Sequence, residues 1–92
     1  VSTLIAARTD ANQAEIVRVL RAAGCSVVSL HRVGDGCPDL LVGRCGRNYM
    51  LEVKIDGRRL NARQKDWHRT WGGQRAVVTT PEGALYAVGV LK

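Results

Sequence analysis

Three polar side chains in the middle of this 92-residue chain stand where they could do chemistry together: Asp39, Glu52 and Lys54. Asp39-Leu40-Leu41-Val42 and Tyr49-Met50-Leu51-Glu52-Val53-Lys54-Ile55 read as two strands joined by a tight turn at Arg44-Cys45-Gly46-Arg47. A turn centred between Cys45 and Gly46 sets residues whose numbers sum to 91 opposite each other, and Asp39 and Glu52 satisfy that sum. Their Cβ atoms would then lie roughly 4.5–5.5 Å apart, and like charges so placed destabilise a sheet. A hard divalent cation such as Mg²⁺ gives the pair a reason to exist. Lys54 is two residues beyond Glu52 and projects from the same strand face, while Val53 between them points into the core. Such a set can hold a metal and a water and offset charge on a phosphoryl group. The plain alternative is that Glu52 and Lys54 occupy a solvent-facing strand side.

The elements that must position these residues can be read around them. A helix is expected from about Asp10 to Ala23, with Asp10 as N-cap, Gln13 completing a capping box and Gly24 at the C′ position. Its apolar arc is Ile16, Val17, Leu20 and Ala23, with Glu15 at the border of core and cleft. The β-branched stretch 25–32 reads as a strand and 33–37 as a loop; Pro38, lacking an amide donor, begins the next strand or sits at its edge. After the loop Asp56 to Leu60, Asn61 caps a second helix running to about Trp71, which Gly72-Gly73 stops. Leu60, Gln64, Trp67, His68 and Trp71 share one stripe of that helix, and the tryptophans are expected in the core. Arg75 to Thr80 is a further strand, and Pro81-Glu82 opens a short C-terminal element, expected as a helix. The predicted architecture is one α/β domain over 1–92, an αβββαβ(α) sandwich with a central mixed sheet.

Composition narrows the class. A chain this size holds a single modest core, and 46% hydrophobic with 24% charged residues excludes a disordered chain. No apolar run approaches a membrane span, and the opening residues do not read as a signal peptide. Fourteen basic residues, 11 of them Arg, against 8 acidic give a net charge of +6. An Arg-rich folded surface fits nucleic-acid phosphate better than a membrane or an acidic protein. Cys25, Cys37 and Cys45 form no C-x-x-C pair, so they read as reduced thiols of a cytoplasmic protein. A zinc site joining them to His31 or His68 would lack the usual close ligand pairs.

GCPDLL (36–41) followed by LEVK (51–54) resembles the PD-(D/E)XK nuclease signature. The continuation through LNARQKDWHRTW and GGQRAVVTT is similar to its VRR-NUC branch, which includes stand-alone phage and bacterial domains resembling Holliday-junction resolvases. The resemblance runs from Glu15 to about Thr80 and implies a restriction-endonuclease-like fold. It implies Asp39 and Glu52 as metal ligands with the Val53 backbone carbonyl as a third, and Lys54 on water or phosphate. It makes Glu15 the acidic position borne by the first helix and Gln64 the glutamine of the following helix. Residue by residue, Glu15 could instead pair with Arg18, and Gln64 could either cap buried backbone or face the site. Arg58 and Arg59, just past the strand bearing Glu52 and Lys54, are expected on DNA phosphate together with Arg44, Arg47 and Arg63. The expectation is an Mg²⁺- or Mn²⁺-dependent endodeoxyribonuclease without an organic cofactor, acting in the cytosol of a bacterial or phage-infected cell. Small size points to a homodimer on a branched, two-fold substrate such as a four-way junction. A non-catalytic DNA-binding module, a general non-selective nuclease and a zinc-stabilised interaction domain are the competing readings.

Overall fold

The computed structural model describes residues 3–92. Elements follow in the order α1 (Thr3–Ala22), β1 (Ser26–Ser29), β2 (Leu40–Arg44), β3 (Arg47–Val53), α2 (Ala62–Thr70), β4 (Arg75–Val78) and α3 (Pro81–Ala87). This is the expected αβββαβα order, with the C-terminal element a helix: Thr80 accepts the Gly83 amide at 3.0 Å and Pro81 opens the first turn.

The first helix corrects the sequence reading at its start. It begins seven residues before Asp10, so Asp10 and Gln13 are helix interior and form no capping box. The segment Leu4-Ile5-Ala6-Ala7-Arg8 is made of helix formers and carries no breaker, so its propensity carries the helix through the cap-like Asp10. At the other end the expectation holds. Gly24 adopts φ 91°, and the Cys25 amide reaches back to the Leu20 carbonyl at 3.0 Å, satisfying an end carbonyl. The first strand is shorter than expected, Ser26–Ser29, and Cys25 lies before it, buried in the core.

The four strands form one mixed sheet in sequence order. β1–β2 and β2–β3 are antiparallel, and β3–β4 is parallel, joined across α2. The β2–β3 register pairs Leu40 with Leu51 and Arg44 with Arg47, which is the sum-of-91 pairing. Cys45 and Gly46 make the two-residue turn with φ of 51° and 77°, the left-handed pair such a hairpin requires. On one face of the sheet Val27, Leu40, Val42, Leu51, Val53 and Val78 are buried together with Ile16 and Leu20 of α1 and Ala84 of α3. Alternation along the strands turns Val28 and Val77 to the other face, where they are exposed.

The second helix differs from its sequence reading in one respect. It buries none of its residues, and Trp71, its C-cap, is 44% exposed. Trp67 and Trp71 stack on each other, 4.7 Å between ring centroids, and are not part of the core. With the core filled by α1 and α3, the stripe on α2 forms a half-exposed aromatic pair on the other side of the sheet, where Trp71 borders an open apolar cavity with Leu30, Leu41 and Met50. Among the described residues, no helix is long and apolar enough to cross a membrane.

Candidate active site

The hairpin's open end brings the two carboxylates together. Asp39 stands immediately before β2, and Glu52 is the penultimate residue of β3, one step beyond the Leu40–Leu51 pair. The Asp39 Oδ2 accepts the backbone amide of Val53 at 2.8 Å, a charge-assisted bond that fixes the carboxylate against the strand. A residue in a strand sends its N–H and C=O out on the same edge, so the Val53 carbonyl is aimed to the side where Asp39 stands. Lys54 continues past the strand end, held by its amide to the Val78 carbonyl at 3.0 Å. Its Nζ lies 3.8 Å from Glu52 Oε2.

Glu52 is 2% exposed, the one charged residue buried among those described. Burial, then the charge of the Asp39 carboxylate beside it, push its carboxyl up to about 8, against the pull of Lys54. Gln64 donates from Nε2 to Glu52 Oε2 at 3.2 Å. The other oxygen, Oε1, is buried with no hydrogen-bond partner. An unpartnered buried carboxylate oxygen is costly unless something electropositive meets it.

That orphaned oxygen tests whether a divalent cation suits the site. Asp39, Glu52 and the Val53 carbonyl are hard oxygen donors, the set Mg²⁺ or Mn²⁺ prefers. Among the described residues, no group of three or more His, Cys, Asp or Glu side chains converges. Two carboxylates with water and phosphate oxygens completing the shell is the way Mg²⁺ is commonly held. The residues present therefore fit the ion. The cysteines do not form a soft-ligand alternative: all three are free, Cys25 buried in the core and Cys45 exposed at the hairpin turn.

The structure sorts the other expected residues. Gln64 faces the site through Nε2, and the backbone group it caps is an exposed one and not a buried one: Oε1 accepts the Asn61 amide at 2.9 Å as half of a capping box. Glu15 is half exposed and bound by Arg18 through contacts of 2.6 and 3.0 Å, which hold its carboxyl below its ordinary value. It makes no hydrogen bond or ion pair with Asp39, Glu52 or Lys54. The acidic residue of α1 that does border Lys54 is Asp10. With Thr9, Arg58 and Arg59 it lines a cleft of about 330 Å³ running alongside Lys54. Arg63 lies at the start of α2, 4.0 Å from Asp35. Arg44 and Arg47 stand at the closed end of the hairpin, roughly 15 Å along the strands from Asp39 and Glu52. There Arg44 donates to the Val88 carbonyl at 3.3 Å. Arg58 and Arg59 thus gather beside the site, and Arg44 and Arg47 do not.

Two contributors were missed by sequence reading. The Asn12 side chain donates to the carbonyls of Lys54 (3.3 Å) and Thr79 (3.0 Å), tying α1 to the ends of β3 and β4. No local pattern marks it, because its partners are 42 and 67 residues away. Gly36 has φ 77°, and a Cβ there would come within 2.4 Å of the Arg63 carbonyl oxygen. The loop leading into Asp39 is thereby seated against the first turn of α2. Only the glycine itself signalled that contact.

A four-stranded mixed sheet carries a buried Glu52 beside a partly exposed Asp39, with Lys54 at the open end of its central hairpin, in an α/β fold. Among solved structures the chain matches a VRR_NUC domain with a TM-score of 0.68 and 24% sequence identity, covering 87% of this chain and 92% of that one. The chain has the fold of a VRR_NUC domain. No family model matches the sequence, and no curated protein matches it.

Proposed function

We propose that this chain is a single-domain, divalent-metal-dependent DNA endonuclease. The observation that carries the reading is the convergence of Asp39 and Glu52, with a buried, unpartnered Glu52 Oε1 and Lys54 Nζ 3.8 Å from the same carboxylate. The fold likeness to a VRR_NUC domain supports it, since GCPDLL and LEVK resemble the PD-(D/E)XK signature and LNARQKDWHRTW and GGQRAVVTT resemble its VRR-NUC branch.

Asp39 and Glu52, with the Val53 carbonyl, would hold Mg²⁺ or Mn²⁺. When bound, such an ion polarises a phosphate and makes a coordinated water more acidic. Lys54, kept 19% exposed against Glu52, places its ammonium to offset charge that builds on the phosphoryl oxygens. Gln64 holds the Glu52 carboxylate in orientation. Arg58 and Arg59 line the cleft continuous with Lys54 and grip the DNA backbone without reading bases. Arg63 extends that grip at α2, and Arg44 and Arg47 contact more distant phosphate. Glu15 belongs to this machinery only if DNA binding releases it from Arg18.

Selectivity for branched DNA, such as a four-way junction, is the finer part of the proposal. It goes with a homodimer, because one copy of this size cannot touch several arms. The experiment is cleavage of four-way, flapped and linear duplex DNA with Mg²⁺, Mn²⁺ or chelator. Metal-dependent cutting that favours the junction is expected. Cutting that survives chelation would overturn the reading, and equal cutting of all three substrates would reduce it to a general nuclease.

A further inference from the structure

The capping box of α2 touches the candidate metal site directly. Gln64 has one amide with two unlike ends. Its Oε1 is taken by the Asn61 backbone N–H at 2.9 Å, which leaves Nε2 to point at Glu52 Oε2, 3.2 Å away. A reversed amide would set an oxygen against the carboxylate and leave the cap donor unmet. The Asn61 side chain closes the box by accepting the Gln64 backbone amide at 2.9 Å, fixing the residue that carries the amide. Gly36 seats the preceding loop on the same turn, close enough that a Cβ would strike the Arg63 carbonyl. The donor occupies Oε2, and Oε1 is the oxygen left buried without a partner. Which oxygen of Glu52 is free for an ion is thus decided at a helix cap, through Gln64 twelve residues away in sequence.

We propose that Asn61 is a positioning residue: its side chain, by holding the Gln64 backbone in the capping box, keeps the Gln64 amide, whose polarity the Asn61 backbone N–H sets, against one oxygen of Glu52 and leaves the other to a divalent cation. The inference rests on the nuclease reading above. It assigns to the cap a role beyond helix stability, and no contact between Asn61 and the ion is required.

The test is Mn²⁺ binding measured by titration calorimetry on the intact protein without DNA, for wild type, Asn61→Ala and Asn61→Ser, each also made in a Gln64→Leu background. Asn61→Ala is expected to weaken Mn²⁺ binding about tenfold, the lower end of the range for residues that orient metal ligands. Serine keeps an oxygen acceptor at the cap, so Asn61→Ser should bind within about twofold of wild type. With Gln64→Leu the box has no amide to orient, and Asn61→Ala should cost nothing more. Undiminished Mn²⁺ binding by Asn61→Ala would overturn the proposal. So would serine failing like alanine, or an equal loss in the Gln64→Leu background. A wild type that cuts DNA and binds Mn²⁺ while Asn61→Ala matches it sinks this inference alone. A wild type that neither binds Mn²⁺ nor cuts removes the metal reading and this inference together.

Discussion

Glu52 is buried beside another carboxylate, and its proton is therefore coupled to both folding and metal. Its carboxyl titrates near 8 in the folded chain, against an ordinary value of 4.5 in an unfolded one. Between those values the folded state holds more protons, so metal-free stability falls as pH rises from about 4.5 to about 8. Glu52→Gln should remove most of that slope and raise the melting temperature of the metal-free protein near neutral pH. A gain of about 1 kcal/mol corresponds to roughly 4–8 °C in a domain of this size. Thermal denaturation in chelator across this pH range checks both, and an unchanged slope would show that Glu52 does not carry the proton. The same linkage makes Mn²⁺ affinity rise with pH up to about 8, as the ion displaces the proton. Lys54→Ala should lose about 10²-fold or more in cleavage rate and keep Mn²⁺ binding, because the ammonium serves the transition state. Loss of Mn²⁺ binding with activity would make Lys54 structural. Asp39, Glu52 and Lys54 were legible in the sequence because strand register is arithmetic once the turn is placed. For Glu15 the sequence left two readings, because a helix glutamate three residues from an arginine satisfies a surface pair as readily as a site, and the structure pairs it with Arg18.

At the scale of elements, the site depends on the loop and helix that meet behind it. Gly34, Asp35 and Gly36 all have positive φ, 76°, 55° and 77°, so the chain turns sharply just before Pro38 and Asp39. Gly36→Ala adds a strained φ and a collision with the backbone of α2, neither of which a rotamer change relieves. It should destabilise the protein by about 1–3 kcal/mol and lower cleavage further than the lost folded fraction explains. Chemical denaturation beside activity per folded molecule separates the two effects. The hairpin, its turn and the helix cap at Asn61 followed from local residue chemistry, whereas Thr80, expected as the end of a strand, caps α3 after β4 stops at Val78. The start of α1 did not, since Asp10 has a cap's chemistry but lies in a segment whose propensity continues the helix. Nor did the exposure of the tryptophan pair. Spacing by four marks a shared helix face, but it does not say that the core is already filled by other helices.

The whole molecule measures 36 × 28 × 24 Å, about one helical turn of duplex DNA along its longest axis. On the branched-substrate proposal a single copy would reach one arm, and a second copy would supply the shape selectivity. Light scattering is expected to give twice 10.0 kDa, with a cruciform plasmid linearised by two nicks in one encounter. A strict monomer that nicks linear duplex as fast as junctions would end the branched-substrate proposal. With +6 net charge and 11 arginines, DNA binding should be strongly salt-dependent. Six or more phosphate contacts would cost roughly 10³–10⁵ in affinity between about 50 and 200 mM salt. Filter binding or anisotropy over that range measures the slope. Arg58 and Arg59 beside Lys54, and Arg44 and Arg47 at the turn, followed from their places along the hairpin; that Thr9 and Asp10 of α1 close the same cleft was beyond sequence reading.

The mixed sheet also orders events in time. β2 and β3 are joined by a two-residue turn, whereas β3 meets β4 only after the intervening helix has crossed over. Short loops close in microseconds or less, and distant pairings come later. The hairpin is therefore expected to bring Asp39 to Glu52 before Gln64 arrives to take one of the oxygens, so that two anions would meet at the hairpin's open end. Mildly acid solution, or millimolar Mg²⁺, should accelerate refolding in stopped-flow mixing, and Glu52→Gln should refold quickly under both conditions and respond to neither.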